Sequence, residues 1–126
     1  MSEEFQPSNP ISEELHLENE GTLSVDIYYK DNNLVIVSPI AGTSKENIEI
    51  IVQGDVLIIK GRRSAPENIE EQDYLRKECF WGPFSRTIIL PKSVDKDNIR
   101  AFYENGILII KIPKTTEEDL KKIRIE

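Results

Sequence analysis

The chain has 126 residues, 38% of them hydrophobic and 31% charged, with a net charge of −7; this suffices for one packed core with short tails and contains no apolar run long enough to span a bilayer. Residues 1–20 hold Glu3, Glu4, Glu13, Glu14, Glu18 and Glu20 and no Lys or Arg, so the remaining sequence carries only −1. An acidic arm on a nearly neutral body, with no basic stripe, argues against nucleic acid as a partner.

The first residues, Met1-Ser2-Glu3-Glu4-Phe5, offer neither a basic nor an apolar secretory region, so a cytoplasmic location is expected. A lone Cys79 cannot close an internal disulfide or complete a zinc site by itself, in keeping with a reducing compartment. Pro7 and Pro10 interrupt the arm, Ile11 and Leu15, with Phe5, line one face of a helical turn after Ser8, and its folding is expected to depend on contact with something else. Its charge is read as a solubility device.

From Leu23 the pattern changes to period two. Leu23, Val25 and Ile27 alternate with Ser24, Asp26 and Tyr28, which predicts a strand with one face on a core. Lys30-Asp31-Asn32-Asn33 turns the chain into Leu34-Val35-Ile36-Val37, because Asp and Asn tolerate left-handed backbone. Ile48, Ile50 and Val52 mark the next strand, and Gln53-Gly54-Asp55 turns it into Val56-Leu57-Ile58-Ile59.

After Gly61 the apolar rhythm stops until Phe84, a long connection for a small domain, with Tyr74-Leu75-Arg76-Lys77 as a short strand inside it. Residues 84–90 restore strand chemistry before Pro91. The last pair, residues 98–104 and 107–112, is joined by Asn105-Gly106, the dipeptide favoured in two-residue type I′ hairpins. Short β-branched strands about ten residues apart predict an all-β, antiparallel β-sandwich of immunoglobulin-like type, and connections this short exclude a parallel sheet with crossover helices.

Four sandwich segments in order, and a tail motif after them, also resemble the small heat-shock proteins. Ile40-Ala41-Gly42 at the end of one strand is similar to that family's proline-glycine turn, with the proline one residue earlier at Pro39. Asp55-Val56-Leu57-Ile58-Ile59-Lys60-Gly61 resembles the following hairpin partner, and Gly82-Pro83-Phe84-Ser85-Arg86-Thr87-Ile88-Ile89-Leu90-Pro91 its Gly-x-Phe-x-Arg-x-x-x-Leu-Pro run. Ala101 to Leu108, with Gly106 between them, resembles the closing signature of the α-crystallin domain, and Ile123-Arg124-Ile125 the Ile-x-Ile tail motif. The departures are a short arm with one aromatic, Phe5, and Cys79 and Trp81 where the family more often has arginine and tyrosine.

The resemblance implies three units: a short acidic arm (1–20), an α-crystallin-type sandwich (21–113) and an extension bearing the Ile-x-Ile motif (114–126), both terminal extensions being short and flexible. It places a tail-docking groove between the strand of Ile48, Ile50 and Val52 and the strand of Ile99 and Ala101, with Ile123 and Ile125 as the docking side chains. It makes Tyr74, Leu75 and Arg76 a strand exchanged with a partner subunit, and Arg86 an ion-pair candidate beside the reading of an arginine reaching solvent from the sheet edge. Trp81 is expected to anchor a loop on the sandwich.

No catalytic constellation stands beside these. His16 is the only histidine and sits in the arm, paired carboxylates lie in charge runs, and no phosphate loop is present, so neither an enzyme, a metal site nor a cofactor is expected. The implied function is an ATP-independent chaperone, a holdase that binds partly unfolded client proteins and limits their aggregation under stress, as a homodimer that builds larger homo-oligomers through the tail. The alternative is a p23-like adaptor or co-chaperone that binds one folded partner as a monomer.

Overall fold

The computed structural model describes residues 21–115 and 123–126. The expectations for Phe5, Ile11, Leu15 and His16, and the first unit as a whole, lie outside these residues. Eight strands follow in chain order: β1 (Gly21–Thr22), β2 (Asp26–Lys30), β3 (Asn33–Pro39), β4 (Ile48–Gln53), β5 (Val56–Arg63), β6 (Gly82–Ile89), β7 (Arg100–Glu104) and β8 (Ile107–Pro113). They form two four-stranded sheets, in the orders β1-β6-β5-β4 and β2-β3-β8-β7. All neighbours are antiparallel except the two-residue pairing of β1 with β6, which is parallel.

Turn chemistry sets the hairpins. Asp31 (φ 51°) and Asn32 (φ 67°) join β2 to β3, and Asn105 (φ 53°) and Gly106 (φ 76°) join β7 to β8, both with the two positive φ angles that a type I′ turn requires. Alternation then fills the space between the sheets. Leu57 and Ile59 of β5 and Phe84 and Ile88 of β6 meet Leu34 and Ile36 of β3 and Leu108, Ile110 and Ile112 of β8. Burial of each such side chain contributes about 2 kcal/mol.

The predicted strand over Leu23 to Ile27 is instead broken. The chain pairs with β6 at Gly21 and Thr22, crosses between the sheets, and resumes at Asp26 against β3. Two side chains hold the crossing by its carbonyls: Arg86 donates from Nη1 to Leu23 O at 2.7 Å, and the fully buried Ser38 donates from Oγ to Ser24 O at 2.8 Å. Leu23 is buried, whereas Ile27 is 45% exposed, because two residues of β1 leave the inner face of β2 uncovered.

Strand limits differ in two further places. Ile99 precedes β7, which begins at Arg100, and Tyr74-Leu75-Arg76 makes no ladder with the described residues of its own chain. The stretch containing Tyr74-Leu75-Arg76 links the neighbouring strands β5 and β6, and its described contacts there are local: a turn at Glu71–Asp73, Lys77 paired with Glu71 at 2.5 Å, and Arg76 with Glu78 at 3.2 Å.

At the other end of β4 and β5, Asp55 anchors the loop after β6. Its carboxylate meets Lys96 at 2.5 Å and Lys92 at 3.6 Å, and its carbonyl accepts from Leu90 N at 2.7 Å. The hydrogen bond and charge of Lys96, followed by the charge of Lys92, hold its carboxyl below the usual carboxylate range. A carboxyl lowered on folding adds stability above its unfolded value, and that stability is lost as pH falls through the lower folded value. Thermal melts from pH 7 down to pH 3 are therefore expected to fall less steeply for Asp55→Asn than for the parent; parallel profiles would remove Asp55 from the acid response.

Candidate functional site

Strand order leaves two lateral edges on the sandwich, and each bears apolar side chains. On one side β4 ends the first sheet and β7 ends the second. Ladder register sets inward rows across the first sheet: Ile48, Gly61 and Phe84; Ile50, Ile59 and Arg86; Val52, Leu57 and Ile88. Ala101 and Tyr103 face the same interior from β7, opposite Ile110 and Leu108.

Between these two edges lies a pocket of about 210 Å³ lined by Lys45, Ile48, Ile50, Ala101, Phe102, Tyr103 and Leu108. The structure thus brings Ile48, Ile50 and Ala101 together. Val52 and Ile99 pack against the core from the same two sides without lining that pocket. Tyr103, Leu108, Phe102 and Lys45 were not anticipated; for Tyr103 the signal was available, since it stands two residues from Ala101 and shares its face. Its hydroxyl donates to Ile40 O at 2.5 Å, and Ile40 N donates to Gly106 O at 2.6 Å, so the end of the pocket is tied to the β7–β8 hairpin.

Ile123 and Ile125 are 84% and 92% exposed, so neither is seated in the groove of its own chain. Arg86 does point inward with Phe84 and Ile88, and among the described residues its partner is the Leu23 carbonyl, not a carboxylate.

The opposite side is formed by β1 and β2. Strand β2 is bonded to β3 alone among the described strands, and Ile27, Tyr28 and Tyr29 are all about half exposed along it. Lys114 lies over the Tyr29 ring at 4.7 Å. Leu75 is fully exposed, and Tyr74 carries Lys77 over its ring at 4.9 Å. Trp81 packs its ring edge against Gly42, where an added Cβ would lie 3.0 Å from it, and Phe80 does the same over Gly21.

No group of three or more metal-ligating side chains occurs among the described residues. What the site offers among the described residues is apolar surface beside two sheet edges, which suits binding of extended chains.

Residues 26–126 match the Hsp20/alpha crystallin family. The chain belongs to that family. Among relatives, it is 33% identical over 100 residues to the small heat shock protein C4 of Rickettsia felis, covering 79% of this chain and 61% of that one. It is 35% identical to a probable 15 kDa heat shock protein of Leptospira interrogans, over 71% of this chain and 68% of the relative. The chain spans only about three-fifths of the length of several such relatives.

Solved family structures agree with the sandwich. A small heat-shock protein of Xylella fastidiosa superimposes with a TM-score of 0.70 at 31% identity, covering 82% of this chain and 95% of that one. The hspA of Xanthomonas axonopodis gives 0.69 at 33% identity, over 76% and 96%. The relatives and structures named are heat-shock proteins, and none supports a p23-type adaptor. No helix among the described residues is long and apolar enough to cross a membrane.

Proposed function

We propose that this protein is an ATP-independent holdase of the cytoplasm, which binds partly unfolded proteins through apolar sheet edges and holds them against aggregation. The observation that carries the reading is the pocket between β4 and β7, an apolar slot on an Hsp20-family sandwich whose own tail places Ile123 and Ile125 in solvent. Two isoleucines a pleat apart suit that slot.

The exposed edge of β2 is the docking place for Tyr74, Leu75 and Arg76 of a second copy. Exchange of that segment pairs the edge of β2, covers the inner-row Ile27 and Tyr29 and the fully exposed Leu75, and gives an isologous dimer. Tail docking then joins dimers. Each docked isoleucine contributes about 2 kcal/mol of burial, weak enough for exchange with client segments on warming. No cofactor or catalytic residue enters this mechanism.

Light scattering of a heat-labile enzyme at a several-fold excess of this protein tests it. Scattering is expected to fall strongly; an undiminished signal overturns the holdase reading.

A further inference from the structure

The outer face of the β2-β3-β8-β7 sheet has a composition that the proposed function leaves unused. Register places Arg100 directly opposite Lys111, with Val35 and Tyr28 continuing that row, and Phe102 opposite Ile109 in the next. Like charges directly opposite on a ladder destabilise it. Here both cations flank one ring, Arg100 at 5.8 Å and Lys111 at 5.9 Å from the Phe102 centroid, and neither pairs with a carboxylate among the described residues.

Two shallow basins meet at this place, one running from Phe102 to Ile109 and Lys111, the other from Tyr28 and Lys30 to Val35, Ile109 and Lys111. Val35 is 4% exposed although it faces away from the sandwich interior. The acids of this face stand at its margins, Asp26 and Glu104 on its two edge strands and Asp31 in the β2–β3 turn at the end of the second basin, and its centre is cationic and apolar. Such a surface fits a segment that is anionic and apolar at once.

One segment of this chain has that character. Residues 1–20 carry six glutamates and no cation, and Glu14-Leu15-His16-Leu17-Glu18 interleaves leucines with charge. The arm enters the sandwich at Gly21 on β1, on the same side as β2. Sheets about 10 Å apart and strands about 4.8 Å apart put Lys111 about 20 Å from that point, and eight extended residues, from Glu13 to Gly21, reach about 26 Å.

We infer that the acidic arm of each chain docks on the outer face of its own β2-β3-β8-β7 sheet, with glutamates on Arg100, Lys111 and Lys30 and leucines on Phe102 and Tyr28. The arm then relieves the like-charge pair and covers the aromatic side chains.

Zero-length carbodiimide coupling of the full chain tests this, because it joins a carboxylate to an amine only in contact. In an equal mixture of unlabelled and ¹⁵N-labelled protein, arm peptides are expected to couple to Lys111 and Lys30 within single chains. Arg100→Glu is expected to lower the Lys111 product about tenfold or more. Coupling spread evenly over Lys60, Lys92 and Lys111 overturns the inference, as do products found only between labelled and unlabelled chains, which would make a second copy the donor. A second reading comes from melting temperature at low salt: changing Glu13, Glu14, Glu18 and Glu20 to Gln is expected to lower it, and to have no effect when Arg100 and Lys111 are already Gln. Equal drops in both backgrounds overturn the docking.

Discussion

Gly61→Ala is expected to unfold the sandwich at a temperature about 10 °C below the parent, corresponding to a loss of about 3 kcal/mol. Gly61 stands in the inward row between Ile48 of β4 and Phe84 of β6. A Cβ built there lies 2.3 Å from the Asn47 carbonyl oxygen and 2.6 Å from Cζ of Phe84. The first neighbour is backbone and the second is a ring 1% exposed, so neither swings aside cheaply. The ring occupies the space that the missing side chain leaves, and Arg63 covers it from 5.4 Å. Differential scanning calorimetry measures the effect; a melting temperature within two or three degrees of the parent, on the order of 1 kcal/mol, would show that β4 and Phe84 relax around the methyl group. Gly54→Ala is the matched control, because nothing lies within 4 Å of a Cβ there and only its positive φ of 61° opposes the change.

Replacing Ile123 and Ile125 together by alanine is expected to reduce every species larger than a dimer to dimers while the melting temperature stays put. The two side chains contribute about 4 kcal/mol between them when docked, so their loss weakens each tail contact roughly a thousandfold. Ala101→Arg, which fills the slot from the β7 side, is expected to give the same collapse with the tail intact. Native mass spectrometry reads both. An unchanged mass distribution for the tail variant defeats tail docking, and a collapse with Ala101→Arg alone would assign the groove to some other segment.

Much of the fold was legible because the information is local. Alternation marks the core-facing Ile48, Ile50 and Val52 of β4, continuous apolar runs mark β3, β5 and β8 as strands, and the Asn-Gly and Asp-Asn turns state their own backbone geometry. Leu23, Val25 and Ile27 alternate just as well, yet no strand spans them. The break is made by Ser38 and Arg86, 14 and 63 residues along the chain, which take the carbonyls of Ser24 and Leu23, and alternation cannot report partners outside its own window.

The groove was half legible for a related reason. Ile48 and Ile50 belong to one sheet and Tyr103 and Leu108 to the other, so the wall they share exists only after the sheets pack. The outward position of Phe102, by contrast, follows from the same pleat that turns Ala101 and Tyr103 inward.

Strand order has one further consequence. The β2 edge and the β4/β7 cleft lie at opposite flanks of the sandwich, at the two ends of a four-stranded sheet, so a partner on one flank does not obstruct a partner on the other. In the proposed assembly each subunit is a link with two unlike connectors: one mates with its own kind and closes, the other takes a tail from elsewhere and propagates. The size of the resulting particle is then a question of graph closure, set by the angle between the flanks and by the reach of residues 114–122, and a change in that spacer should alter the number of subunits without altering a single contact.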